Sequence, residues 1–455
     1  MIRNYASILA VFAAAFAVNA LAPSILTLIG GLSGTEAPIA QSLWCLGLIL
    51  GFGWLCSLAS AGTIFPNFTV QLLVGIILHD ALAPLSAQML LAVVVCTALA
   101  AIILKSGGDE IDRRDFVKFA FPTVMIAVVG YLITFFIMFP ILMALGLDGK
   151  TAALLAAIIG STDPAALIPT LRQLSFKDEY KRVSGISVAE SAVNDAVGAI
   201  FTAAIVAMIL AGVDVSSVSG LSAGLVQPDN LIHLGNQFLF GIVAGLAGWG
   251  LMSLFERYKA SRHRPDVAEP TYDFGMVLAV PLVTFFLAQT IHGNGFLAAF
   301  VAGLLANFNH GAEYFRGQLH TLETEIDSVA KPTIFMMVGP FVALSDLVET
   351  ALLGLAISII FMFVARPLAV LVSMLPTGLN MREKLFLCAV RETGVIPVVL
   401  AVITVAQLPE LTSLMPLTAW VVIWTLTFLP AVTPWWARRL GVVDGQATSG
   451  AGAHH

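Results

Sequence analysis

The run Glu190-Ser191-Ala192-Val193-Asn194-Asp195 puts two carboxylates, a hydroxyl and an amide into a segment otherwise apolar from Val183 to Gly212. One carboxylate at the centre of a membrane span costs about 2.5–3.5 kcal/mol even on the lenient insertion scale. A second apolar run, Thr151 to Leu171, is broken by Ser161-Thr162-Asp163-Pro164. Bilayers tolerate such groups chiefly where protons or ions pass. A buried carboxylate with few charge partners can hold either a proton or a cation. If it is exposed alternately to the two sides of a membrane, that competition is sufficient for exchange.

Spacing divides the labour. Glu190 and Asn194 are i,i+4 and share a helix face, as do Ser191 and Asp195. Glu190 and Asp195 lie about 140° apart around the helix, so one helix presents them to different neighbours. One carboxylate is then available for the ion and the other for a structural pair. Arg366, an arginine in mid-span, is the natural partner for Glu190. Arg391 and Glu392 are adjacent and face apart on a helix, so each needs a partner of its own.

Composition fixes the environment in which this chemistry occurs. Of 455 residues, 58% are hydrophobic and 11% charged, with a mean hydropathy of +0.94. No soluble domain of this length hides so much apolar surface. The four cysteines, Cys45, Cys56, Cys96 and Cys388, lie in apolar runs without metal-ligand spacing and read as small buried hydrophobes. The chain shows no His/Asp metal cluster and no nucleophile with its base, which argues against a membrane-embedded enzyme. Neither a cofactor nor a nucleic-acid partner is expected.

At about 20 residues per crossing, the apolar runs resolve into about fourteen transmembrane helices, with thirteen as the alternative. Their limits are 5–31, 41–62, 65–79, 84–105, 115–144, 150–171, 183–212, 231–255, 272–291, 293–309, 330–345, 348–375, 383–407 and 412–436. The fold class is therefore an all-α polytopic membrane protein. With the N-terminus inside, all but three of the 22 Lys and Arg fall on the cytoplasmic side; Lys150 is outside, and Arg366 and Arg391 lie within spans. Both termini are expected in the cytoplasm of an inner or plasma membrane protein. The connection 310–329, with Glu313, Glu323, Glu325 and Asp327, reads as a cytoplasmic surface helix.

If the first span is additional and the eighth a linker, spans two to seven and nine to fourteen form two six-helix units of opposite topology. Their fifth members are both polar and both carry proline: Thr162-Asp163-Pro164 in one, Arg391-Glu392-Thr393-Gly394 with Pro397 in the other. Proline frees backbone carbonyls. Half-helix ends then offer carbonyls to a cation and N–H groups to an anion. Two such broken helices crossing near the midplane make a site for a small ion.

Gly160-Ser161-Thr162-Asp163-Pro164-Ala165-Ala166-Leu167, followed by Glu190-Ser191-Ala192-Val193-Asn194-Asp195, resembles the monovalent cation/proton antiporter family. The likeness is to its NhaP-type electroneutral branch, which also includes the animal sodium/proton exchangers. Gly293 to Leu304 and Ala365-Arg366-Pro367-Leu368-Ala369 agree, and the likeness runs from about Leu43 to Pro434. The resemblance implies that Asp195 is the carboxylate exchanging proton and cation, with Asp163 beside it. Thr162 and Ser191 would add oxygen ligands for Na+, Asn194 would steady the broken helix, and Glu190 and Arg366 would form a structural ion pair. It further implies one cation per proton, an inverted-repeat homodimer in membrane lipid, and elevator-like motion of a core against a scaffold. On that division, 1–82 and 213–310 (which includes a linker helix) are scaffold, 83–212 and 311–440 are core, and 441–455 is a disordered tail. The sequence departs from the family at Val390-Arg391-Glu392-Thr393-Gly394, where members commonly read Leu-Arg-Gly-Ala, and in its additional first span.

The expectation is therefore exchange of Na+, or Li+, for a proton. Potassium/proton exchange is the first alternative. A sodium-coupled solute symporter is the second, and it would want a wider polar cavity.

Overall fold

The computed structural model describes residues 2–63, 65–111, 113–262, 274–306 and 313–444. These residues are helical almost throughout, and the only β pairing among them is an isolated bridge between Phe176 and Val443. In chain order the helices begin with α1 (Ile2–Gly30), α2 (Glu36–Ser60), α3 (Asn67–Ile77), α4 (His79–Ala87) and α5 (Met89–Asp109). They continue with α6 (Arg113–Val124), α7 (Tyr131–Ala144), α8 (Gly149–Ile159), α9 (Pro164–Arg172) and α10 (Lys181–Leu210). A short α11 (Val218–Val226) and the long α12 (Pro228–Arg262) lead to α13 (Phe274–Thr290), α14 (Gly295–Ala306) and α15 (Glu313–Met336). The chain closes with α16 (Leu344–Glu349), α17 (Ala351–Ile360), α18 (Arg366–Ser373), α19 (Met381–Ala389), α20 (Val395–Gln407) and α21 (Leu414–Leu440).

Among the described residues, eight helices are long and apolar enough to cross a membrane unaided, and the bent pair α3–α4 makes a ninth. The about fourteen spans read from hydropathy are not reproduced one for one. Helices α8, α13, α14 and α20 are apolar but short, and two expected spans are split by non-helical segments. The expected spans 65–79 and 84–105 also meet differently, because α3 and α4 bend by 79° at Leu78. The expected surface helix at 310–329 is the first part of α15, which runs on without interruption into the apolar stretch; residues 310–312 lie outside the described residues.

Two six-helix units follow one another. The pairs α2 and α13, α3–α4 and α14, α5 and α15, α6–α7 and α17–α18, α8–α9 and α19–α20, and α10 and α21 occupy equivalent places. The fourth member of each unit carries a π turn, at Met125–Gly130 and Phe361–Ala365. The fifth member of each is broken. Contacts repeat across the units: α8 packs on α10 and α21, while α19 packs on α21 and α10. Burial marks the centre, since 72% of the apolar window of α10 is covered by protein against 22% of α1. Helix α1 packs on α2, α3 and α4. Asn19 holds it there, donating to Asp80 at 2.9 Å and accepting from the Ala81 amide at 3.0 Å.

Helices α5 and α14 approach so closely that a Cβ on Gly303 would strike the Lys105 carbonyl. At the same level Lys105 is buried, bonded to Asp109 on its own helix and to Glu323 of α15 at 2.6 Å. At the other end of the chain, Gly441 ends α21 in a left-handed conformation. Residues 442–444 then run beside 175–177 through bonds from Lys177 to Val442 and from Asp444 to Ser175. The segment expected as a loose tail is thus tied down as far as Asp444; the remainder lies outside the described residues.

The start of the first broken helix is set by Asp148, whose Oδ1 accepts the Lys150 and Thr151 amides, each at 3.0 Å. Partial burial pushes its carboxyl upward, but the hydrogen bonds from Thr151 and Lys150 outweigh that and hold it below the ordinary carboxylate range. A depressed pKa contributes stability above the unfolded value and loses it as pH falls. Asp148→Ala is therefore expected to lower thermal stability by about 1 kcal/mol near neutral pH. The gap from the parent should close below about pH 4, where the carboxylate protonates in the unfolded chain. A melting difference unchanged in acid would assign the loss to packing instead.

Candidate functional site

The two broken helices meet at their gaps. Helix α8 stops at Ile159 because Gly160 leads into a segment that ends at Pro164, and a residue before proline avoids helical conformation. Ser161, Thr162 and Asp163 are therefore non-helical, and α9 restarts at Pro164. On the other side α19 stops at Ala389, Val390 adopts φ −118°, ψ 68°, and α20 restarts after Gly394 at φ −142°, ψ −125°. The Asp163 amide donates to the Glu392 carbonyl at 2.8 Å, and the Asp163 Oδ2 accepts the Val395 amide at 3.0 Å. One aspartate thus bonds the opposite gap at two points, Glu392 within it and Val395 at its end. It meets the first amide of α20, where a helix dipole favours negative charge. A Cβ on Gly394 would enter the Asp163 carboxylate, so glycine is what allows this approach.

The carbonyl freed at the end of α8 is doubly held. Gly160 O accepts from Arg366 Nη2 at 2.5 Å and from Asn194 Nδ2 at 3.2 Å. Asn194 also donates to Thr162 Oγ1 and to Glu190 Oε1, each at 3.1 Å. Arg366 lies over the Phe361 ring, 4.8 Å from its centroid. A cation at the carbonyl end of a half-helix opposes the dipole there. Asp195 is buried on α10 and accepts a hydrogen bond from the Ser161 hydroxyl, so the exchange candidate touches the first gap directly.

Sequence reasoning paired Glu190 with Arg366, and the structure corrects this. Glu190 forms its ion pair with Arg391, both side chains buried, while Arg366 goes to Gly160. Helical spacing alone turns Arg391 away from its neighbour Glu392 and leaves its partner open. The gap instead lets it reach α10, and the exposed carbonyl of α8 draws Arg366 elsewhere. Thr162 sits in the site through Asn194, whereas the Ser191 hydroxyl is buried without a hydrogen bond among the described residues. Glu392 is buried as well, and its expected separate partner is not found: neither carboxyl oxygen has a hydrogen bond among the described residues. Ser161, which donates to Asp195, is the residue of this site that the sequence did not single out. Its signal was a hydroxyl at the first position of the gap, beside Thr162. No group of three or more His, Cys, Asp or Glu side chains converges as a metal cluster among the described residues.

A cavity of about 600 Å³ opens between α5, α10, α13, α14 and α20. Its wall on α10 runs from Leu210 down to Ala199, one helical turn past Asp195. Thr97, Thr202, Gln289 and Gln407 give it neutral polar groups within a largely apolar surface.

Crossed half-helices beside a buried carboxylate, one turn from a cavity, within a bundle of apolar helices define a multi-pass membrane protein. The family model described as "Sodium/hydrogen exchanger, transmembrane" matches residues 47–439, and the chain belongs to that family of monovalent cation/proton antiporters. It is 31% identical over 317 residues to a protein named K(+)/H(+) antiporter NhaP2 from Shewanella sp. (strain ANA-3), covering 68% of this chain and 51% of that one. The chain therefore spans about half the length of these relatives. It is 26% identical over 376 residues to Na(+)/H(+) antiporter 1 of Methanocaldococcus jannaschii, covering 80% of this chain and 83% of that one. The solved structure of the sodium proton antiporter MjNhaP1 from that organism at pH 8 superposes with a TM-score of 0.72 at 21% identity, over 90% of this chain and all of that one. The likeness in structure establishes the fold.

The repartnered ion pair can be tested directly. Removing one member of a buried pair costs about 3–5 kcal/mol. Glu190→Ala and Arg391→Ala should each lower the melting temperature strongly, and the double variant should recover part of the loss, with a coupling of at least about 1 kcal/mol. The Glu190/Arg366 cycle should show the weaker coupling; the reverse order would restore the original pairing.

Proposed function

We propose that this protein exchanges a monovalent cation, Na+ in first place, for a proton, one for one. The carrying observation is Asp195: a buried carboxylate beside the crossing, bonded by Ser161 and one turn from the floor of the cavity. Deprotonated, Asp195 takes the cation; protonated, it takes the place of cation plus carboxylate with the same net charge. Asn194, the neighbour of Asp195, is an amide and cannot titrate, so this pair offers a single negative site. Asp163 adds the field of a second carboxylate, and Thr162 and Ser191 add hydroxyl oxygens, all hard ligands suited to an alkali cation.

Alternating access follows from a core carrying the crossing that slides past a scaffold, as an elevator, with 1–82 and 213–310 as scaffold and linker and 83–212 and 311–440 as core. The protein works as a homodimer in an inner or plasma membrane, in contact with lipid, with both termini in the cytoplasm. The basic residues clustered between spans support that orientation. Exchange of K+ for protons is the second reading, favoured by the name of the Shewanella relatives.

Asp195→Asn should abolish exchange while leaving the fold intact, because it removes the charge and keeps the shape. Purified variant in proteoliposomes that still dissipates a pH gradient on addition of Na+ would move the exchange site elsewhere. Exchange by the parent should also be indifferent to voltage. Under a membrane potential imposed with potassium and valinomycin, neither the rate nor the end point of sodium/proton exchange should shift. A shift would reject the one-for-one ratio.

A further inference from the structure

The second gap holds a carboxylate that the exchange just described leaves without a task. Glu392 is 1% exposed, and neither Oε1 nor Oε2 has a hydrogen-bond partner among the described residues. The charged groups on the elements around it are otherwise engaged. Arg391 pairs with Glu190 of α10, Asp163 bonds Val395, Arg366 of α18 bonds Gly160, and Lys331 of α15 bonds Asp327. Asp195 of α10 accepts from Ser161. Buried oxygens are costly when nothing pairs with them, and a native fold keeps such a group where something comes to satisfy it.

Position says what comes. The Glu392 carbonyl holds the Asp163 amide at 2.8 Å, and Gly394 keeps the Asp163 side chain pressed against the same strand. The gap cannot draw back without breaking these contacts, so the Glu392 backbone is held against Asp163, and the Asp163 carboxylate acts electrostatically on the Glu392 carboxyl. A buried carboxyl without a partner stays ionised only where a cation pairs with it, and a second carboxylate acting on it makes that cation more favourable.

We propose that Glu392 is a further ligand for the transported cation, acting with Asp163 from the opposite half-helix, and that it determines which alkali cation is accepted. This rests on the exchange reading above. Discrimination among hard cations follows cavity size, ligand number and ligand charge. An added carboxylate strengthens the field at the site and so favours the smaller ions, Na+ and Li+, over K+.

The test uses the full chain in proteoliposomes with Na+, Li+ and K+ in turn, comparing the parent with E392Q and E392A. E392Q keeps the side-chain shape and removes the charge. It should raise the KM for Na+ about tenfold, in line with the effect of losing a supporting ligand at a metal site. The KM for K+ should change much less, so that the preference for Na+ narrows, and kcat should stay within about threefold. The rise in melting temperature that NaCl confers on the purified parent should be lost in E392Q. If E392A does not fold, E392Q carries the decision. Equal changes for all three cations, a loss confined to kcat, or an unaltered sodium effect on melting would each overturn the proposal. Asp195→Asn separates the two readings: if that variant still exchanges, the exchange site is wrong, whereas an inactive Asp195→Asn with unaltered selectivity in E392Q refutes only the role of Glu392.

Discussion

The structure depends on one bond set: Asp163 joined to the Glu392 carbonyl through its amide and to the Val395 amide through its carboxylate. Two helices broken inside a bilayer expose carbonyls and amides that lipid cannot satisfy. Each gap here supplies what the other lacks. Arg366 and Asn194 take up the carbonyl left at the end of α8, and Asp163 takes up the first amide of α20. The fold can afford its non-helical segments only because they meet.

Charge follows the same logic. Asp195, Asp163, Glu190 and Glu392 are all buried, as are two arginines, Arg366 and Arg391. The arginines are spent on fixed structure, one on a backbone carbonyl and one on Glu190. Neither is hydrogen-bonded to Asp195, which accepts only from the Ser161 hydroxyl among the hydrogen bonds described above. Asn194 links the two systems, since it bonds Glu190 of the structural pair and Thr162 of the gap.

The surroundings decide how the site is reached. Helix α10 is the most deeply covered of the long helices, and the cavity between it and α5, α13, α14 and α20 ends within a turn of Asp195. Away from that cavity, α5 and α14 pack backbone to backbone at Gly303, and Lys105 joins α5 to α15 through Glu323. One region of the protein therefore holds a cavity that reaches towards the carboxylate, while another is packed backbone to backbone.

Much of this was legible in the residues themselves. Apolar content compelled a membrane protein, and the cost of Asp163, Glu190 and Asp195 in lipid marked them before any geometry was known. Proline and glycine at matching places in two halves announced the broken helices, because their effect on the backbone is local. Partners across the fold were another matter. Arg391 could not be matched to Glu190 from spacing, since it lies 201 residues away in sequence and the match depends on where a gap turns its strand. Ser161 gained its role only when α8 and α10 were laid side by side, and the 79° bend at Leu78 left no trace in hydropathy. Sequence determined which groups are too costly to bury without purpose; tertiary structure decided which of them pair, because pairing in a low-dielectric interior is set by distances that only packing supplies.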